Sequence, residues 1–121
     1  MAVLDASAVL AYLRNEPGAP TVRQALIDGA TCGAANWSET MRKVLRRGDD
    51  WTVARQLMES FGLVIEPVTR TDAEYAAVLW PEHPSLSLAD RLCLGLAHRL
   101  GVPVLTADAA WGESDIIHQI R

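Results

Sequence analysis

Residues 1–14, MAVLDASAVLAYLR, join a short apolar run to a helical pattern across one acidic residue. Residues 1–4 predict a strand. In residues 6–14, Val9, Leu10 and Leu13 recur at helical spacing, which predicts a helix. Asp5 lies at the junction between the two. A short buried strand that passes directly into a helix is typical of the first unit of an α/β protein.

The rest of the chain repeats this alternation. Helices are predicted over residues 20–28, 36–47, 51–61, 71–80 and 88–100, and strands over residues 31–35, 63–68, 102–106 and 116–120, the last at the sheet edge. Asn36 and Asp50 are predicted to cap the helices that follow them. The pattern predicts a three-layer α/β domain, with a central parallel sheet flanked by helices on both faces.

Length and composition indicate one domain, residues 1–121, because a chain of this size buries one ordinary core. No apolar run is long enough to span a bilayer, and the amino terminus lacks the pattern of a secretion signal. Cys32 and Cys93 lie in apolar stretches without metal-ligand spacing, which predicts buried thiols rather than a disulfide or a zinc site. A soluble protein of the reducing cytoplasm is therefore expected.

The charge balance of 15 acidic to 11 basic residues gives a net charge of −4, which argues against a protein that coats nucleic acid by bulk attraction. Any contact with nucleic acid is therefore expected to be local. The basic residues cluster at Arg42, Lys43, Arg46 and Arg47, and Lys43 is the only lysine. This cluster is either a solvated helix face or a phosphate-binding surface.

Four acidic residues lie where a strand ends or a helix begins: Asp5 in LDASA, Glu39 in NWSET, Asp90 in SLADR and Asp108 in LTADAAW. One interpretation is structural. Asp5 and Asp108 can each cap the turn that follows, while the pairs Asn36 with Glu39 and Ser87 with Asp90 have the spacing of capping boxes.

The second interpretation is a shared site. Side chains beyond the carboxyl ends of parallel strands meet at one crevice, and Asp5, Glu39 and Asp108 each follow a predicted strand. Asp90 reaches this crevice only if the first turn of its helix points back toward it. Two carboxylates about 5 Å apart repel by roughly 3 kcal/mol at an effective dielectric of about 20. Mg²⁺ or Mn²⁺ would offset this repulsion and could activate water for attack on a phosphodiester.

The four acidic segments together resemble a known family. The segments VLDASAVLAYLRNEPG, NWSE, LSLADRLCLGLA and LTADAAW are similar to the successive acidic motifs of the PIN domain. Their order, their separation and the chain length resemble those of the compact VapC toxins of toxin–antitoxin systems. No single motif is decisive, and the resemblance depends on all four in order.

This resemblance implies a metal-dependent endoribonuclease with a four-carboxylate site that binds Mg²⁺ or Mn²⁺ and uses water as the nucleophile. The implied ligands and catalytic residues are Asp5, Glu39, Asp90 and Asp108. Ser7 and Thr106 match positions whose hydroxyls often lie beside the metal, although either could instead bond to the local backbone. Thr40 departs mildly from the family, in which an apolar residue commonly follows the second acid.

The resemblance also implies partners: an RNA substrate, a small antitoxin lying across grooves between the early helices, and a second copy of the chain in a homodimer. The four tryptophans, Trp37, Trp51, Trp80 and Trp111, are predicted as core or interface anchors rather than base-stacking platforms. Glu113 and Asp115 are expected to form a charged surface turn rather than to add a carboxylate to the site.

Three other classes of protein compete with this interpretation. A haloacid-dehalogenase-like phosphatase also has an aspartate after its first strand, but it expects a second aspartate where this chain has Ser7. A response-regulator receiver domain expects a lysine after a late strand, whereas Lys43 lies within a predicted helix. A non-catalytic PIN-like binding module would keep the fold, although retention of all four acids weighs against it.

Overall fold

The computed structural model describes residues 1–121. Strands and helices alternate along the chain in this order: β1 Ala2–Leu4, α1 Ala6–Leu13, α2 Ala19–Asp28, β2 Ala30–Gly33, α3 Ala34–Arg47, α4 Trp51–Ser60, β3 Val64–Glu66, α5 Arg70–Val78, α6 Leu88–Leu100, β4 Val104–Thr106, a 3₁₀ turn Ala109–Trp111, and β5 Ile117–Gln119. The longest helix, α3, has 14 residues. None of the helices has the length and apolar character needed to cross a membrane.

The five strands form one sheet in the order β3-β2-β1-β4-β5, and every neighbouring pair is parallel. The first strand is therefore the central one. Ala2 pairs with Ala30 of β2 on one side, and Val3 pairs with Val104 of β4 on the other. The parallel sheet and its last strand at the edge confirm the predicted fold class.

Two separate cores cover the two faces of the sheet. Val3 and Leu4 are both fully buried, and because neighbouring strand residues point to opposite faces, each belongs to a different core. Leu4 packs in the cluster formed with α1, α2 and α4, and Val3 packs in the cluster formed with α6. The central strand is thus buried on both sides, which explains why it is apolar at every position.

Cys32 and Cys93 are free and buried, one in each core, as predicted. Burial raises the pKa of Cys32 to about 12 and that of Cys93 well above its ordinary value. Both thiols therefore remain protonated and act as small apolar side chains.

The start of α3 differs from the prediction. Helix α3 begins at Ala34, immediately after β2 ends at Gly33, so Asn36 lies inside the helix rather than at its cap. Asn36 is 1% exposed, and neither polar atom of its side chain has a hydrogen-bond partner. The predicted cap at Asn36 was therefore wrong. The strand passes into the helix without a loop, and no local sequence signal marks such a junction.

The tryptophans divide between core and surface. Trp111 is 3% exposed and packs in the core beside α6, while Trp37 and Trp51 pack edge to face with ring centroids 4.9 Å apart. Trp80, at 52% exposed, lies just beyond the end of α5 and is not a core residue. Of the two predicted roles, exposure rules out a core anchor at this position and leaves an interface anchor as a prediction.

Candidate active site

All four predicted site acids line one cavity at the carboxyl edge of the sheet. The cavity has a volume of about 180 Å³, and its wall consists of Asp5, Ala6, Ser7, Glu39, Lys43, Ser87, Asp90 and Asp108. A larger hollow of about 540 Å³ lies between Met1 and α2, but Asp28 is its only acidic residue. The smaller cavity is therefore the place where the four predicted acids meet.

Asp5 is the buried centre of this cavity, with 3% of its surface exposed. Its Oδ1 accepts hydrogen bonds from the Ser7 hydroxyl at 2.7 Å and from the Ala8 backbone N–H at 2.8 Å. Its Oδ2 accepts a hydrogen bond from the Thr106 hydroxyl at 2.6 Å. The bond to Ala8 confirms Asp5 as the cap of α1. Three donors from two elements thus fix the orientation of the carboxylate.

Burial raises the pKa of Asp5 to about 6, against an ordinary value of 3.8. Hydrogen bonds from Thr106, Ser7 and Ala8 oppose this shift, and the negative charge of Asp90 adds to it. The shared cavity wall places the Asp90 carboxylate, carried by the first turn of α6, close enough to Asp5 for this repulsion to act. A cation in the cavity would favour the ionised form of Asp5.

Ser7 and Thr106 bond to both the carboxylate and the backbone. The Ser7 hydroxyl accepts from the Ala107 N–H at 2.8 Å, and the Thr106 hydroxyl accepts from the Asp108 N–H at 3.0 Å. The two hydroxyl oxygens are 3.2 Å apart. They therefore join the start of α1 to the turn after β4, so that Asp5 and Asp108 are held in one network.

Asp90 and Asp108 serve as caps and also line the cavity. Ser87 and Asp90 form the predicted capping box, with both reciprocal bonds at 3.1 Å. Asp108 Oδ1 accepts from the Ala110 N–H at 2.9 Å and caps the 3₁₀ turn. In each carboxylate only one oxygen takes part in these bonds. Capping and a shared site are thus compatible at these two residues.

Glu39 has no capping role. Because α3 starts at Ala34, the predicted capping box between Asn36 and Glu39 does not form, and the Glu39 carboxylate accepts no hydrogen bond from the chain. The neighbouring Thr40 is fully buried, and its hydroxyl donates to the Asn36 carbonyl at 2.8 Å. The hydroxyl of Thr40 is therefore hydrogen-bonded despite its burial, at the position where the chain departs from the family pattern.

Among the other charged residues considered, Glu113 lies outside the acidic cavity and Lys43 lies in its wall. Glu113 lies at a different hollow, with Gln119 and Arg121, and both Glu113 and Asp115 are exposed, as expected for a surface turn. Lys43 lies in the wall of the acidic cavity, although its sequence context indicated only a basic cluster. The available signal was its spacing of four residues from Glu39 on one helix, since residues so spaced share a face.

The donor set fits a hard divalent cation. The cavity offers carboxylate oxygens without histidine or cysteine, the ligand type that Mg²⁺ and Mn²⁺ prefer. No three His, Cys, Asp or Glu side chains of the chain are arranged as a ready-made metal-binding group. Mg²⁺ is usually held by one or two carboxylates, with water and substrate phosphate oxygens at its other positions. A cavity that leaves room for these other ligands therefore suits it.

Comparison with known proteins identifies the family of the chain. The family model of the PIN domain matches residues 2–115, a range that includes all four acids. Ribonuclease VapC42 of Mycobacterium tuberculosis is 27% identical over 126 aligned positions, which cover 94% of this chain and 95% of the relative.

Two solved structures have a similar fold. A toxin–antitoxin complex from Klebsiella pneumoniae superposes with a TM-score of 0.80 at 16% identity, over 100% of this chain and 98% of that one. VapC20 of Mycobacterium tuberculosis, a toxin that cleaves the sarcin–ricin loop, superposes with a TM-score of 0.69 at 17% identity, over 96% and 98% of the two chains. The family match excludes the phosphatase and receiver alternatives, and the chain belongs to the PIN domain family.

Proposed function

We propose that this protein is the toxin of a toxin–antitoxin pair, a metal-dependent endoribonuclease that hydrolyses RNA phosphodiesters. The observation that carries the proposal is the convergence of Asp5, Glu39, Asp90 and Asp108 on one cavity. Membership of the PIN domain family supports it, as does the similarity to relatives described as VapC ribonucleases. The buried free thiols are in keeping with action in the reducing cytoplasm.

Asp5, Glu39, Asp90 and Asp108 would supply the carboxylate ligands of Mg²⁺ or Mn²⁺, one or two of them directly and the others through bound water. When bound, such an ion supplies an activated water and stabilises the charge that develops on the phosphate. The chain itself prepares the site for this ion. Ser7, Ala8 and Thr106 hold the Asp5 carboxylate in one orientation. One oxygen each of Asp90 and Asp108 accepts a capping hydrogen bond, which leaves the other oxygen available to the ion.

The nuclease activity is testable with the purified protein, freed of any partner and incubated with total cellular RNA. We expect cleavage with Mg²⁺ or Mn²⁺ and none after chelation, and sequencing of the new RNA ends would identify the substrate. Asp90→Asn should abolish cleavage, because the amide keeps the shape and capping capacity but lacks the charge. Asp115→Asn, an exposed acid outside the cavity, is the matched control. Wild-type cleavage by Asp90→Asn would refute the site assignment and favour the non-catalytic alternative.

We also propose a small antitoxin as partner. A groove of about 430 Å³ lies between α1, α3 and α4, with an apolar lining that includes Leu10, Leu13, Val53 and Leu57. The similar Klebsiella pneumoniae structure is a toxin–antitoxin complex. Co-expression with the neighbouring open reading frame, followed by pull-down, tests this. We expect Val53→Asp, a change at an exposed position of the groove, to prevent capture, and failure of any neighbour to bind or relieve toxicity would reject the toxin assignment.

Self-association into a homodimer is a further part of the proposal, taken from the family resemblance. Light scattering of the purified protein across a concentration series would measure its mass. A mass that corresponds to one chain of 13.2 kDa at every concentration would reject the dimer.

A further inference from the structure

Lys43 is the only basic residue in the wall of the acidic cavity. It is also the only lysine of the chain. It lies on α3 one turn after Glu39, so the two side chains leave the same face of the helix. The wall of the cavity therefore includes one positively charged side chain among four acidic ones.

The packing of α3 fixes the backbone at Lys43. Val44, the next residue, is 3% exposed, and Thr40, three residues back, is fully buried. The Arg14 guanidinium approaches the Lys43 carbonyl oxygen at 3.5 Å. The backbone at Lys43 is thus held by buried neighbours, and its side chain forms part of the cavity wall.

The ammonium group of Lys43 is not engaged by the acids around it. The ion pairs of the structure are formed by Arg47, Arg55, Arg70 and Arg99, and none includes Lys43. Within the basic cluster, Arg47 pairs with Asp49, while Arg42 and Arg46 are exposed and lie outside the cavity wall. Lys43 alone combines an unpaired charge with a position at the site.

RNA meets an electrostatic obstacle at this cavity. Each phosphate is negative, and four carboxylates repel it at short range. The net charge of −4 provides no long-range attraction. An ammonium group is a compact charge with three donors, suited to a single phosphate oxygen.

We propose that Lys43 is a positioning residue whose ammonium group binds a non-bridging phosphate oxygen of the RNA strand and holds that phosphate beside the carboxylates. The inference rests on the proposed nuclease function and extends it to substrate binding. The competing role, a counter-ion that only screens Glu39, would weaken RNA binding only through the exposed charge of Glu39, so Lys43→Met should then have no effect in a Glu39→Gln background. A direct phosphate contact predicts that the loss persists in that background.

The first test measures binding without cleavage. A fluorescein-labelled single-stranded RNA oligonucleotide of mixed sequence is titrated, in the presence of chelator, with wild type, Lys43→Met, Lys43→Gln and Lys43→Arg. We expect both neutral variants to bind about tenfold more weakly, as for the loss of one charge-assisted hydrogen bond. The association constant falls with salt, and the negative slope of its logarithm against log salt concentration should become shallower by roughly 0.7, the value for one phosphate contact on a single strand. Lys43→Arg should restore most of the affinity and the slope.

Arg23→Met is the matched control, since Arg23 is an exposed basic residue of α2 outside both the cavity and the basic cluster. It should leave affinity and slope near those of wild type. Unchanged affinity and slope in both neutral Lys43 variants would overturn the proposal, as would an equal loss in Arg23→Met. Thermal melting of each variant checks that its fold is intact, and Lys43→Gln serves if Lys43→Met melts early.

The second test uses cleavage kinetics with Mn²⁺. Lys43→Met should raise KM about tenfold while kcat changes less, because the lost contact is made to the bound substrate as well as to the transition state. An equal loss in kcat with an unchanged KM would overturn the substrate-binding role. If the protein binds RNA through Lys43 but never cleaves it, the positioning proposal stands and the nuclease proposal fails. If cleavage is normal and independent of Lys43, only the positioning proposal fails.

Discussion

The Thr106 hydroxyl donates a hydrogen bond of 2.6 Å to Asp5 Oδ2, although the two residues are 101 positions apart in the chain. Both are buried, Thr106 fully and Asp5 to within 3% of its surface. This bond links the end of β4 to the start of α1 at the bottom of the acidic cavity. The packing of β4 beside β1 therefore determines how the Asp5 carboxylate is oriented.

Replacing Thr106 by Val should destabilise the protein by about 1–3 kcal/mol, because the change keeps the shape but leaves a buried carboxylate oxygen without its donor. The Asp108 N–H also loses its acceptor. Urea unfolding at neutral pH measures the effect. Thr52→Val, at an exposed site on α4, is the control and should change stability by less than about 0.5 kcal/mol. Equal stabilities of the two variants would contradict the role given to this bond.

Stability of the metal-free protein should depend on the ionisation of Asp5. Burial raises its pKa to about 6 from an ordinary value of 3.8, so the folded state binds this proton more tightly than the unfolded chain does. The contribution of Asp5 is therefore fully present below the unfolded value and is lost as pH rises through about 6. A pKa shift of this size corresponds to roughly 3 kcal/mol in the free energy of unfolding.

Asp5→Asn should remove this dependence and retain most of the capping, since Asn is also a good cap. We expect wild type and variant, melted in chelator between about pH 4 and pH 8, to converge at low pH and the variant to be the more stable at neutral pH. A wild type that is more stable than Asp5→Asn at neutral pH would show that the carboxylate acts there mainly as a structural cap.

Mn²⁺ should raise the melting temperature of the metal-free protein, because a ligand that binds only the folded state stabilises it by mass action. At 100 times the dissociation constant the gain is about 2.7 kcal/mol. Asp90→Asn should shrink the gain, whereas Asp115→Asn, outside the cavity, should retain it. A wild type that melts at the same temperature with and without Mn²⁺ would remove the support for a metal site at these acids.

Arg99 and Asp72 form a two-point ion pair that should stabilise the packing of α5 on α6. Arg99 Nε lies 2.9 Å from Asp72 Oδ1, and Nη2 lies 3.1 Å from Oδ2. Burial alone would raise the pKa of Asp72, but the bonds from Arg99 and Thr69 outweigh it and hold the pKa below its ordinary value. This contribution is present above the unfolded carboxyl pKa and is lost as pH falls through the folded one.

Arg99→Met should therefore cost about 2–3 kcal/mol at neutral pH, because it leaves a buried carboxylate without its partner, and the cost should diminish in acid. Arg70→Met is the matched control. Arg70 forms an ion pair with Glu74 on the surface of α5, where its side chain is 92% exposed, and its loss should have little effect. Equal effects of the two changes on urea unfolding would refute the assignment.

Local sequence signals were sufficient to predict the strands and helices. They were also sufficient to predict that three of the four acids are caps. Alternating strands and helices, with apolar residues at the matching period, predicted the parallel sheet, because such periodicity depends only on neighbouring residues. Asp5, Asp108 and the Ser87–Asp90 pair were recognisable as caps for the same reason. The motif order was also sufficient to indicate the PIN domain family.

Only the tertiary structure decided which residues meet. The parallel order of the sheet places β1 beside β4, and this brings Thr106 onto Asp5 across most of the chain. The first turn of α6 carries Asp90 to the same cavity, and the turn of α3 that holds Glu39 also brings Lys43 there. The abrupt passage from β2 into α3 displaced the expected cap at Asn36. Each outcome depends on contacts between segments distant in sequence, and these are set by the packing of whole elements rather than by the preferences of neighbouring residues.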